Sequence, residues 1–295
     1  MIYEEIASNK RKTYLLFFLF FVLIMIIGLV FDLVFNLSYF GVILAFIITL
    51  IWILISYYKG DQIILKLSRA KPATKKDNAY LVNTVEGLAI AAGLPKPKVY
   101  IIDDMAINAF ATGRDPKHAS ITVTKGAVEK LNRQELEGVV AHEMSHIKNY
   151  DIRTMLLAAV MVGIIALLSD FMIRSFFWGR GSRDEREGGS IQLIAIVIGL
   201  VMAILTPLIA NLIKLAISRK REYLADASGA LLTRYPKGLA DALRKIAKDQ
   251  EQLKVATNAT AHLYISNPFK KKGFFVNLFS THPPVEDRIK ALEAM

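Results

Sequence analysis

Ala141-His142-Glu143-Met144-Ser145-His146 decides how this 295-residue chain reads. In a helix, positions i and i+4 lie one turn apart on one face, so His142 and His146 direct their imidazoles at a common point. Two neutral imidazoles suit a zinc ion, and Glu143 lies beside them to take a proton from water on the metal. The flanks support a helix. Asn132 is placed to cap it, with Glu135 three residues on, and Leu136, Val139 and Val140 form an apolar stripe. The chain has only five histidines, so an accidental pair at this spacing inside such a helix is a poor explanation.

A catalytic zinc needs a third protein ligand and an open position. Ile147-Lys148-Asn149-Tyr150-Asp151 follows His146 without another histidine, which departs from the metzincin extension. A later stretch, Ser218-Arg219-Lys220-Arg221-Glu222-Tyr223-Leu224-Ala225-Asp226, places Glu222 and Asp226 at i and i+4. Two readings are open. In one, Glu222 ligates zinc and Asp226 orients a histidine through its free ring nitrogen. In the other, this is an ordinary charged helix start, solvated or salt-bridged.

The chain is 54% hydrophobic with mean hydropathy +0.38, too apolar for an ordinary soluble domain. Four stretches account for this. Tyr14 to Phe31 is uncharged and long enough to span a bilayer. Ser38 to Tyr58 is the second, with Trp52, Tyr57 and Tyr58 as an interfacial belt. Met155 to Ile173 and Ile191 to Ile217 are the third and fourth. The first reads as a signal anchor rather than a cleaved signal peptide, because its apolar run is long and a second span follows at once. Lys10, Arg11 and Lys12 precede it, Asp32 to Leu37 has no Lys or Arg, and Lys59, Lys66, Arg69, Lys71, Lys75 and Lys76 follow the second span. The positive-inside rule then puts residues from Lys59 to about Arg153 in the cytoplasm. Two more crossings return the chain to that side, where Glu222 must lie to meet His142.

The net charge of +11 is not accompanied by a stacking motif, zinc knuckle or basic recognition helix, so a nucleic-acid partner is not expected. Basic residues beside spans point to anionic lipid headgroups instead. Asn267 to Ser280 interleaves three lysines with Phe269, Phe274, Phe275 and Phe279 and reads equally as a membrane-surface segment or a solvated loop. The absence of cysteine excludes disulfides, thiolate metal sites and a cysteine nucleophile. The rest reads as a mixed domain. Asp77 to Ala92 is an amphipathic helix, Lys98 to Asp103, Ile107 to Gly113 and Ser120 to Thr124 are strands, and Pro236 to Ala256 and Val285 to Ala294 are helices. Ile107 to Thr112 is expected to be an exposed edge to which an extended substrate adds as a strand.

Two N-terminal spans, Ile107-Asn108-Ala109-Phe110-Ala111-Thr112-Gly113, His142-Glu143-x-x-His146, two later apolar segments, Arg221-Glu222-x-x-Ala225-Asp226, and Ser280-Thr281-His282-Pro283-Pro284 followed by Asp287-Arg288-Ile289 occur here in one order. Together they resemble the HtpX-type membrane zinc metalloproteases, relatives of the CAAX prenyl proteases. The resemblance covers nearly the whole chain. It implies a gluzincin site with one Zn2+ per chain, ligated by His142, His146 and Glu222, with Glu143 as general base. It also implies Asp226 and Asp151 as supports of the ligands, and Asn108, Ala109, Phe110 and Ala111 as a substrate-pairing edge. His282 and Arg288 resemble residues near the transition-state oxyanion or near Glu222. The implied fold is an α+β membrane protein with about four transmembrane helices and a cytoplasmic zincin-like domain containing a small β-sheet. Its parts are a membrane hairpin (1–58), the first half of the protease domain (59–154), a second hairpin (155–217) and the second half (218–295). The implied role is cleavage of damaged or misfolded membrane proteins at the cell membrane. A CAAX-type prenyl protease and a non-catalytic zinc-bound membrane scaffold are the alternatives.

Overall fold

The computed structural model describes residues 2–35, 38–178, 201, 219–269 and 283–295. Helix α1 (Ile2–Phe35) has 34 residues, which at 1.5 Å per residue is about 51 Å, well beyond a hydrocarbon core of about 30 Å. Its surplus lies at the N-terminal end, where Asn9 and Thr13 are buried against later elements. Helix α2 (Phe40–Leu67) returns alongside it. The turn is tight because Ser38 and Tyr39 adopt positive φ, and because Asp32 accepts hydrogen bonds from Gly41 N and Val42 N at 2.9 and 2.7 Å. That carboxylate caps α2 from the neighbouring helix. The two backbones then close on small residues: a Cβ on Gly28 would stand 2.5 Å from the Ala45 methyl. Ile43, Leu44, Ile47, Ile51 and Leu54 point away from the protein, as a lipid-facing surface requires.

Beyond α2 the chain forms a mixed domain. A two-residue strand β1 (Lys71–Pro72) precedes α3 (Ala79–Ala92), which Asn78 caps by accepting from Leu81 N and which Gly93 ends in the left-handed conformation. Strands β2 (Lys98–Ile102), β3 (Ala109–Gly113) and β4 (Ala119–Thr124) follow. The sheet order is β1-β2-β4-β3, with β2 and β4 parallel and the outer pairs antiparallel. Helix α4 (Lys125–Lys130) leads into α5 (Arg133–Lys148), then α6 (Asp151–Trp178), α7 (Arg219–Thr233), α8 (Pro236–Lys248) and α9 (Val285–Glu293).

Three apolar cores link these parts. One joins α3, the sheet, α5, α8 and the end of α9. A second joins α1, α2 and the middle of α6. The third couples the end of α2 to the start of α6, to Phe110 of β3 and to Leu263 and Tyr264. Helix α6 therefore serves both the domain and the hairpin.

Several expectations change here. Among the described residues, two helices are long and apolar enough to cross a membrane. The expected third span lies within α6, and it satisfies that test only jointly with α5, at a bend of 85°. The expected fourth span and the Gly179 to Ser190 turn lie outside the described residues, apart from Val201, as does most of Asn267 to Ser280. Helix α8 stops at Lys248, not Ala256, because the Asp249 carboxylate is drawn away to Ile107 N (2.7 Å) and Lys130 Nζ (3.1 Å). Strand β3 stands at the edge of the sheet, but each of its residues is buried beneath α5, α6 and the Ala261–Leu263 turn, so the edge is not exposed.

Candidate metal centre

Helix α5 opens with a complete capping box. Asn132 Oδ1 accepts from Glu135 N at 3.0 Å, and Glu135 Oε2 accepts from Asn132 N at 2.7 Å. Val139, Val140, Met144 and Ile147 fix the buried faces of the helix. Gly138 and Gly229 let its neighbours come close. A Cβ on Gly229 would lie 3.0 Å from His142 N, so α7 presses directly on the motif. Glu222, Asp226 and Gly229 share one face of α7, at i, i+4 and i+7.

The end of α5 matters as much as its start. Tyr150 adopts φ 60°, and the chain turns by 85° into α6. This corner brings Asp151 back under the helix it has just left, and Asp151 Oδ2 lies 3.0 Å from His146 Nδ1. On the other histidine, Asp226 Oδ1 lies 2.9 Å from His142 Nδ1. With each Nδ1 engaged by a carboxylate, each Nε2 is left to face the metal position. The two Nε2 atoms are 3.1 Å apart, and Glu222 oxygens lie 3.7 Å from His142 Nε2 and 3.6 Å from His146 Nε2.

These three side chains are the cluster capable of holding a metal ion among the described residues, and all three are buried. Ligand bonds of about 2.0–2.2 Å at tetrahedral angles place donor atoms roughly 3.3–3.6 Å apart, and the separations here, 3.1, 3.6 and 3.7 Å, lie close to that range. Glu143 Oε1 is buried and makes no hydrogen bond among the described residues, as expected of a group kept for a reacting molecule. Nitrogen and carboxylate oxygen without sulfur is also the donor chemistry of a hydrolytic zinc site.

The electrostatics follow from burial and pairing. Burial pushes the Glu143 carboxyl above the usual range, while the nearby imidazoles and the Ala111 backbone N–H pull it partly back. For His146, burial opposes the charge, but the bonded Asp151 and nearby Glu222 and Glu143 hold the imidazolium up at about 9. Asp226 is buried too, yet the Arg288 guanidinium and the His142 ring hold it well below the usual carboxylate range.

Arg288 is 0% exposed. It grips Asp226 with Nε and Nη2, both at 2.7 Å, donates from Nη1 to Ile265 O at 2.9 Å, and comes within 3.8 Å of Glu222. Of the two open placements for Arg288, the geometry therefore has it behind Asp226 and beside Glu222. His282 lies outside the described residues. Asn108 does not face the site: its side chain bonds Ser266 O at 3.2 Å and accepts from Ala109 N at 3.1 Å. Its main chain pairs with Thr124, so the alternate residues Ala109, Ala111 and Gly113 face away from β4. The Ala109 carbonyl already accepts Ile265 N at 2.9 Å, which leaves the Ala111 peptide, beside Glu143, as the nearest outward-facing group.

Two of these features were not read from the sequence. The positive φ of Tyr150 carries no glycine signal. Gly229 did carry a signal, since it continues the face that begins with Glu222 and Asp226.

Residues 75–295 match the model of peptidase family M48. The HtpX protease homologue of Dictyoglomus thermophilum is 50% identical over 293 residues, covering 99% of this chain and 94% of that one. The homologue of Thermoanaerobacter pseudethanolicus is 48% identical, with 100% and 98% covered. Among solved structures, Ste24p of S. mikatae shares the fold with a TM-score of 0.51 at 20% identity. The likeness covers 92% of this chain but only 62% of Ste24p, so this chain spans less than two thirds of that protein's length. The metal-ligating geometry on α5 and α7, the apolar hairpin and these relatives agree: the chain belongs to peptidase family M48, as a membrane metalloprotease of the HtpX type.

Proposed function

We propose that the metal is one zinc ion per chain, held by His142, His146 and Glu222, and that Glu143 is the general base of peptide-bond hydrolysis. The observation that carries this is the convergence of two carboxylate-backed imidazoles and Glu222 on one point beside an unbonded, buried Glu143 oxygen. Zinc, when bound, supplies a Lewis acid that acidifies water and polarises a carbonyl.

The chain's own residues do the rest. Glu143, its carboxyl raised by burial, accepts the proton of the attacking water and later passes it to the leaving amine. Asp151 and Asp226 hold the rings in the tautomer that turns Nε2 inward. Arg288 acts through Asp226, holding that buried carboxylate ionised, and stands 3.8 Å from Glu222. The Ala111 carbonyl offers an extended substrate its first strand-like hydrogen bond, and by resemblance His282 serves near the developing oxyanion or near Glu222.

In the same reading, the segments 155–217 make two further crossings. The halves 59–154 and 218–295 then meet on the cytoplasmic side of the cell membrane, and the substrates are unfolded or damaged membrane proteins. Basic residues after α2 support that orientation. The chain has no cysteine, so single introduced cysteines report the side of each loop directly.

The deciding experiment compares wild type with Glu143→Gln and Glu222→Ala, purified in detergent, for metal content and casein cleavage. One zinc per chain in wild type and Glu143→Gln, cleavage in wild type alone and no zinc in Glu222→Ala are expected. Cleavage by Glu143→Gln would remove Glu143 from its role, and full zinc in Glu222→Ala would move the third ligand elsewhere.

A further inference from the structure

Asn9 stands at the start of the first membrane helix, 142 positions from Asp151, and its side chain is 1% exposed. Its Nδ2 donates to Asp151 Oδ1 at 2.7 Å and to Asn149 O at 2.9 Å. Its Oδ1 receives Arg221 Nη1 at 3.5 Å. Two acceptors on one side and a guanidinium on the other leave a single sensible orientation for the amide. The Asn9 carbonyl is tied as well, to Thr13 Oγ1 at 3.0 Å and Thr154 Oγ1 at 3.4 Å.

Asn9 therefore spans the corner Asn149–Tyr150–Asp151. It holds the last carbonyl region of α5 and the first side chain of α6 with one NH2 group, across a turn whose middle residue has positive φ. Asp151 uses its other oxygen for His146. The carboxylate that orients the ring is thus itself located by Asn9 and by Arg221, which lies 3.4 Å from the same Oδ1. A carboxylate behind a ligating imidazole sets ring orientation and basicity, and a group that fixes that carboxylate contributes to the same quantity.

We infer that Asn9 is a positioning residue for the His146 ligand, so that the first membrane helix sets part of the site's affinity for its metal. This rests on the assignment of His142, His146 and Glu222 to zinc. The plain alternative is that Asn9 only docks α1 on the domain.

The test measures the zinc dissociation constant of the full-length protein in detergent by competition with a chromophoric chelator. The variants are Asn9→Ala, Asn9→Leu (which keeps the volume), Asp151→Ala, the double variant Asn9→Ala/Asp151→Ala, and Leu23→Ala. Leu23 is buried in the α1–α2–α6 core, about four turns along α1 from Asn9, so Leu23→Ala loosens α1 packing away from the network. Asn9→Ala and Asn9→Leu are expected to weaken zinc about tenfold. The double variant should match Asp151→Ala within about twofold, because Asn9 acts through Asp151. Leu23→Ala should lower the melting temperature and leave zinc affinity unchanged. Unaltered affinity in both Asn9 variants, an equal further loss on the Asp151→Ala background, or the same weakening in Leu23→Ala would each overturn the inference. If wild type takes up no zinc, the ligand assignment fails and the inference with it. If wild type takes up zinc and Asn9→Ala equals it, the inference alone fails.

Discussion

His142 and His146 sit one turn apart on the same buried helix face, yet the groups behind them differ in kind and in origin. Behind His142 stand Asp226 of α7, Arg288 of α9 and the Ile265 carbonyl, all from the last quarter of the sequence. Behind His146 stand Asp151 at the α5–α6 corner, Asn9 of the first membrane helix and Arg221. The first arm is a bidentate ion pair within the mixed domain. The second is an amide-and-carboxylate relay that runs into the membrane hairpin. If both imidazoles ligate the metal, as proposed, one depends on groups of the mixed domain alone, while the other depends also on Asn9 of the hairpin.

The largest expected effect breaks the first arm. Arg288→Met removes the cation from a fully buried carboxylate cluster and should destabilise the protein by about 3–5 kcal/mol, since the surviving charge has no water to retreat to. Thermal melting of the purified variant checks this. A loss below about 1 kcal/mol would mean that Asp226 is held by something else.

Next come the two carboxylates compared directly. Asp226→Asn and Asp151→Asn should each weaken zinc roughly 10–100-fold. Only the Asp151→Asn loss should be insensitive to a further change at Asn9. Equal sensitivity of both would erase the distinction between the arms.

Acid and alkali should separate the arms in chelator-treated protein. Asp226 is held below its unfolded value of 3.8, so its contribution is present above that pH and fades as pH falls further. His146 is raised from 6.5 to about 9, so its contribution is complete below about pH 6.5 and lost as pH passes about 9. Melts from pH 3 to 10 should show both limbs, and Asp151→Asn should flatten the alkaline one. Flattening of the acid limb instead would reverse the assignment.

The smallest effect lies farthest from the site. Asp32→Ala removes the cap of α2 and should cost about 1 kcal/mol. Zinc affinity should not change, because the outer turn lies at the other end of α1 from Asn9. A changed affinity would show that strain travels the length of the helix.

Much of the domain was legible because its signals are local. Asn132 and Glu135 announce the start of α5, and an amphipathic pattern ended by Gly93 marks α3, although the helix begins after Asn78 rather than at Asp77. The histidine pair was legible because helical spacing alone brings its two members together. The place of Glu222 in the cluster was not decided by spacing, since a carboxylate pair on a basic helix reads equally as a solvated face. Its burial against α5, allowed by Gly229, is a tertiary fact. Which carboxylate backs which histidine depends on the Tyr150 corner, where a non-glycine residue takes a conformation that packing imposes. The overlong α8 has the same origin: nothing in Asp249 itself foretells its recruitment by Ile107 and Lys130. Asn9 was the least legible of all, because its side-chain partners lie 140 or more positions away.

The burial of β3 has a consequence for selectivity. A strand edge laid open on a protein surface will pair with whatever unstructured polypeptide drifts by. Here the edge is inside, and its first carbonyl is already taken. Under the proposed function, an extended chain reaches the Ala111 peptide only if the elements packed over β3 part, so access rather than side-chain recognition is the expected basis of selectivity.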